Sequence, residues 1–197
     1  MSLQDQPRLF SIGHSNRTIE AFIALLESHG IEAIADIRRF PGSRVHPQFN
    51  REQLSASVAA RGIEYHWFED LGGRRHGPAQ TASQNSGLEL PAFRAYADYM
   101  SSPQFQAAVD RLLVLARKVP TAFMCAEKLF WKCHRRLLSD YLVGRGVEVG
   151  HIVEGETVTL HALSEGAVAR ADGLVVYPAR QPELFPGENG IIRQAAD

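Results

Sequence analysis

Thr121-Ala122-Phe123-Met124-Cys125-Ala126-Glu127 is the stretch that decides the fold. Thr121 to Cys125 is a short, mainly apolar run of the length of a buried strand, and a carboxylate, Glu127, follows where it ends. Before it, Pro103 opens a helix that reaches about Lys118. After it, Phe130 to Arg145 carries Cys133, Leu137, Leu138, Tyr141 and Leu142 on one helical face, and Gly144 or Gly146 ends the pattern. The unit is helix, strand, helix.

The same alternation continues outward in both directions. Leu9 to Gly13 is a strand. Ser15, Asn16 and Thr18 are caps for a helix from Ile19 to His29. Ile31 to Ile37 is a strand broken by Arg38, Arg39 and Pro41; Arg51 to Ala60 is a helix closed by Gly62, and Ile63 to Phe68 an aromatic strand. Pro91 to Met100 is a helix and Val147 to Val153 a fifth strand. Thr157 to Leu163 and Leu174 to Tyr177 are strand-like, and the last dozen residues look frayed. Alternating strands and helices predict an α/β fold: a mainly parallel β-sheet with helices on both faces and right-handed crossovers. We expect one domain over residues 1–197, with 154–197 as a short C-terminal extension. The order of the strands is not legible. Leu71 to Leu90 is Gly-, Gln- and Asn-rich, and a stretch of that length reads as a mobile lid, most of all from Gly73 to Leu88.

Composition bounds the function. A net charge of −1 argues against a whole-protein nucleic-acid or membrane binder. Only Lys118, Lys128 and Lys132 of the 21 basic residues are lysines, and arginine is the residue for planar recognition of anions, although a GC-rich genome would bias usage the same way. Met1 to Arg8 is polar and lacks a signal-peptide h-region, and no apolar run is long enough to span a membrane. With two cysteines, Cys125 and Cys133, there is no disulfide framework, so the expectation is cytoplasmic with both thiols reduced. No cofactor is expected. The oligomeric state is not legible.

In such sheets ligands bind beyond the carboxyl ends of the strands. His14, then Asp36 and Arg38, then Cys125 and Glu127 all fall at strand ends. We therefore expect His14, Asp36, Arg38, Glu127 and Cys133 in a single cleft. Arg38, Arg44 and Arg135, with Ser43, would hold an anion; Asp36 could equally be a buried counter-ion to Arg38. Asp36 and Glu127 are the carboxylates for acid and base work, with His14 or His134 carrying the proton and Cys133 as a nucleophile. A phosphatase-like or sulfurtransferase-like loop fails, since the place for its arginine, six after Cys125, is Trp131. Seven residues separate the two cysteines, too many for a zinc knuckle, so we expect no metal and a fold that survives a chelator. An inert, packed Cys125 remains open, as do structural roles for His66 and His151.

The order Ile12-Gly13-His14-Ser15, Asp36-Ile37-Arg38 with Pro41 and Ser43, Phe49-Asn50, Tyr65, Leu71-Gly72-Gly73, Cys125-Ala126-Glu127, Cys133-His134-Arg135 and His151-Ile152 resembles the domain of unknown function 488 family, an uncharacterised conserved family. The resemblance spans about residues 9–153. It implies a compact α/β domain and a site drawn from His14, Asp36, Arg38, Ser43, Tyr65, Glu127, Cys133, His134 and Arg135, without supplying a reaction.

Three functions compete. One is an enzyme acting on an anionic, phosphate-bearing or nucleotide-like substrate. Another is a nucleic-acid or nucleotide binding module, with Tyr65 or Trp67 stacking on a base. The last is a metal-binding protein using Cys125, Cys133, His134 and Glu127. The mixture of acids, thiols and imidazoles favours the first, because these groups add little to phosphate binding.

Overall fold

The computed structural model describes residues 8–75 and 83–179. Its central strands are β1 (Leu9–Gly13), β2 (Ala33–Asp36) and β4 (Thr121–Cys125), buried at every position. Continuous burial is what helices on both faces of a parallel sheet produce. With β3 (Glu64–Trp67), β5 (Gly150–Ile152) and β6 (Val158–Leu160) they form one sheet in the order β3-β2-β4-β1-β5-β6. All neighbours are parallel except β5 and β6.

Side chains alternate between two cores because successive strand residues face opposite sides. Phe10, Ile12, Ile34, Ala122 and Met124 pack under α1 (Ile19–Ser28) and α2 (Arg51–Ala59). Leu9, Ala33, Ala35, Phe123 and Cys125 pack under α3 (Pro91–Tyr99), α4 (Pro103–Lys118) and α5 (Arg135–Gly144). Helix starts follow local chemistry. The hydroxyls of Thr18 and Ser102 accept the Ala21 and Phe105 N–H groups, and Pro91 and Pro103 occupy first turns.

Two expectations change, those for the helix after β4 and for the lid. The helix expected from Phe130 does not start there: Phe130–Lys132 is a short 3-10 turn, Cys133 is extended, and α5 begins at Arg135. The break lets the Cys133 sulfur turn back toward Cys125, a contact that a continuous helix would not require. The C-terminal extension packs onto the rest of the chain as far as it is described. β7 (Val168–Ala169) and β8 (Val175–Val176) pair, and Val175 and Tyr177 return to the core beneath α5. The expected lid lies partly outside the described residues, at 76–82. Its second half is fastened: Asn85 is buried, donates to Asp98 Oδ1, and accepts the Tyr177 N–H, while the Gly87 N–H reaches the Tyr177 carbonyl. The last dozen residues lie outside the described residues. Among the described residues no helix is long and apolar enough to cross a membrane.

Candidate functional site: a cationic cleft over two thiols

The loops after β1, β2, β3 and β4 meet at the carboxyl edge of the sheet around a cavity of about 540 Å³. His14, Arg38, Ser43, Cys125, Glu127, Cys133 and His134 line it, together with Arg39, Arg74 and Lys132. Four cationic side chains thus face one carboxylate, that of Glu127.

Gly13 allows the loops to meet. A β-carbon there would sit 1.9 Å from the Glu127 carbonyl oxygen, so only glycine lets the end of β1 lie against the loop after β4. Gly73 does the same for His134, whose ring leaves only 2.5 Å for an added β-carbon.

Asp36 does not reach the cleft. It is fully buried behind Arg38 and accepts from the Arg38 backbone N–H, from Nε and NH2 of the Arg38 guanidinium, and from the Tyr65 hydroxyl at 2.6 Å. Its oxygens are taken up by Arg38 and Tyr65, which places Asp36 as the orienting counter-ion of Arg38, one of the two roles the sequence allowed. Tyr65 likewise lies outside the cavity lining. Its hydroxyl is committed to Asp36, and burial together with that carboxylate pushes its pKa well up. Trp67 donates to the Arg38 carbonyl and lies under the Arg51 guanidinium, so neither aromatic forms a free stacking surface.

Arg44 is exposed and outside the cavity lining. Arg135 is buried and equally unavailable to a ligand. Its guanidinium donates to the carbonyls of Glu127 and Lys128, to the Ser11 hydroxyl at 3.4 Å, and to the Cys133 sulfur at 3.3 Å. It holds the loop and charges the thiol site rather than gripping an anion.

The two sulfurs lie 3.4 Å apart. The hydrogen bond from Cys125, joined by the Arg135 charge, lowers the Cys133 pKa to about 6 against the opposing effect of burial. The same hydrogen bond, together with burial, raises the Cys125 pKa. Both effects favour the thiolate at Cys133 over one at Cys125. Donor atoms of Cys125, Cys133 and His134 fall within 4.8 Å of one another, so the loop fold cancels the sequence spacing that argued against metal. What still opposes a cation is the Arg135 guanidinium, already pressed against the Cys133 sulfur.

His14 stacks on Phe49 and donates Nδ1–H to the Ser15 carbonyl, which leaves Nε2 facing Arg38. Burial lowers its pKa to about 4, and does the same for His134, which donates to the Ile37 carbonyl. Both imidazoles are neutral at pH 7, and Glu127 is the exposed carboxylate of the cleft.

Sequence reasoning missed Ala92, Phe93 and Lys132 in the lining, and a buried chain behind it. Ser11 donates to His151 Nδ1, His151 Nε2 to His161 Nδ1, and His161 Nε2 to Asp140, which also accepts from Tyr177. These directions are a choice of tautomers that gives every partner in the chain a donor or an acceptor. The chain ties the C-terminal segment to Arg135 through Ser11. No signal in the sequence pairs His151 with His161, since Phe130, stacked on His151, comes from a distant loop.

Burial lowers the pKa of His151 to about 3. A histidine whose pKa is depressed on folding contributes stability above the unfolded value of about 6.5 and loses it as pH falls. With His14, His134 and His151 all depressed, stability should drop as pH falls from about 6.5 toward 4. Urea unfolding midpoints measured across that range check this, and a flat profile would contradict it.

These observations define an open α/β domain with a cationic, thiol-bearing cleft at the carboxyl edge of its sheet. The chain belongs to the family described as domain of unknown function DUF488, whose model matches residues 18–142. That span holds Asp36, Arg38, Glu127, Cys133, His134 and Arg135, and leaves His14 and His151 outside. No curated protein and no solved structure matches the chain.

Proposed function

We propose that the protein is an enzyme that takes an anionic substrate into the cleft and attacks it with the Cys133 thiolate. The observation that carries this reading is the placing of the Cys133 sulfur in a cavity lined by Arg38, Arg39, Arg74 and Lys132. Arg38 is the anchor, because Asp36 fixes its guanidinium from behind and a fixed fork suits a phosphate or carboxylate group. Glu127, the exposed carboxylate, exchanges protons with substrate or leaving group. Neutral His14 offers Nε2 as an acceptor beside Arg38. A phosphate-bearing or nucleotide-like substrate fits the charge of the cleft, and a cytosolic setting fits the reduced thiols.

A purely nucleotide-binding module has less support. It leaves the thiolate and Glu127 without a task, and Tyr65 and Trp67 are committed to Asp36, Arg38 and Arg51.

The test is calorimetry against a panel of inorganic phosphate, nucleotides and sugar phosphates, followed by product analysis of whatever binds. Arg38→Lys keeps the charge but loses the fork, and should weaken binding about tenfold. A bound anion should also protect Cys133 from iodoacetamide. Equal affinity of Arg38→Lys and parent, or alkylation unaffected by a saturating anion, would reject the reading.

A further inference from the structure

A larger hollow of about 840 Å³ adjoins the cleft across Phe93 and Lys132, but the two sulfurs carry an inference further than that hollow does. We propose that Cys133 and Cys125 are a reversible dithiol–disulfide couple, in which Cys133 is oxidised by a peroxide and Cys125 resolves the product. The proposal rests on the reading of Cys133 as the cleft's nucleophile, and is independent of the anion that the cleft binds.

Three geometric facts support it. The sulfurs are already 3.4 Å apart, so closing the bond to about 2.0 Å needs a small movement. Cys133 is an extended residue between a 3-10 turn and α5, held by turn hydrogen bonds from its N–H to the Phe130 carbonyl and from the Arg136 N–H to its own carbonyl, so closing the bond is chiefly a side-chain movement. The two differ in access: Cys133 is half-buried in the cavity lining, while Cys125 ends β4 and is only 3% exposed. An accessible attacking sulfur beside a sheltered thiol is the arrangement of a peroxidatic and a resolving cysteine. Arg135 stabilises the thiolate and so favours the reduced form, which keeps the couple easily reset.

The chemistry balances. The Cys133 thiolate attacks one peroxide oxygen; the O–O bond breaks, Cys133 becomes a sulfenic acid, and hydroxide or alkoxide leaves with the electron pair. The Cys125 thiol then condenses with the sulfenic acid, forming the disulfide and releasing water. A small dithiol reductant attacks the Cys133 sulfur and displaces Cys125, which takes up a proton. The reductant's second thiol releases Cys133 and carries away the disulfide.

The probe is hydrogen peroxide at one equivalent on the full chain, with no anion added. The parent should lose about 2 Da and both free thiols, and dithiothreitol should restore them. Proteolysis should give a cross-linked peptide pair containing Cys125 and Cys133, a readout that needs no variant. Cys125→Ala, or Cys125→Ser if alanine folds poorly, should instead gain about 16 Da at Cys133 and be trapped by dimedone. Cys133→Ala should oxidise about 100-fold more slowly. The parent should close its disulfide with no anion present, whether or not calorimetry finds a ligand, which separates this proposal from the preceding one. An unchanged parent mass, an equally fast Cys133→Ala, or one zinc per chain held by both thiols and blocking oxidation would overturn it.

Discussion

Asp36→Ala should lower the folding free energy by about 3–5 kcal/mol, the usual result of removing one partner of a buried ion pair. Asp36 is fully buried and Arg38 is 8% exposed, so neither charge has water to fall back on. The carboxylate accepts from the Arg38 backbone, from the Arg38 guanidinium and from Tyr65, and alanine leaves all of these donors unmatched. Because the whole cluster exists to neutralise one charge, Asp36→Ala combined with Arg38→Met should recover most of the loss. Urea unfolding of the single and double variants measures both. A single-variant cost under about 1 kcal/mol would mean that Arg38 finds another partner and that the cleft is more hydrated than its geometry implies.

Most elements were legible because their apolar period and their caps agree. Pro103 marks the start of α4, and Thr18 marks that of α1. The edge at which chemistry gathers was legible too, since His14, Arg38, Cys125 and Glu127 each follow a short apolar run. What failed was the division of labour between the arginines. Arg38, Arg44 and Arg135 look alike as letters. In space one lines the cavity, one is exposed beyond it, and one is spent on backbone carbonyls and a sulfur. That difference depends on which loop carbonyls lack donors, a tertiary fact without periodicity. The helix expected from Phe130 failed for a related reason. The pattern of Cys133, Leu137 and Tyr141 is helical, but Arg135 reaching back to Glu127 and Lys128 accompanies an extended residue at Cys133. Tertiary hydrogen bonds overrode the local pattern. The strand order, with β4 inserted between β1 and β2, has no signature in a single chain.

This division of labour also separates two electrostatic jobs that a count of charges merges. Arg38, neutralised from behind by Asp36, presents a fixed fork while adding little net charge to the cleft. Arg39, Arg74 and Lys132 supply the net positive field at its rim. Added salt should therefore weaken the contribution of the rim more than that of the buried fork.

The last expected result concerns Arg135→Met, which replaces a buried guanidinium with an apolar chain of similar reach. Two effects should appear together. Stability should fall by about 2–4 kcal/mol, because the carbonyls of Glu127 and Lys128 lose their donors inside a loop packed against Gly13. The Cys133 pKa should also rise from about 6 toward the ordinary thiol value, by at least about one unit. The hydrogen bond from Cys125 remains and keeps part of the depression, while burial, now less opposed, pushes the pKa up. The readout is the midpoint of the pH–rate profile for iodoacetamide alkylation of Cys133. A rate at one pH would mislead, because a thiolate of higher pKa is intrinsically more nucleophilic and offsets part of its lost population. Arg135→Lys separates the two effects. An ammonium in the same place keeps a charge near the sulfur but cannot serve two carbonyls, a hydroxyl and a sulfur with one planar fork. Its midpoint should lie between parent and Arg135→Met, with most of the stability still lost. If Arg135→Met alkylates with its midpoint still near 6, the thiolate owes its stability to Cys125 alone, and Arg135 is a loop brace and nothing more.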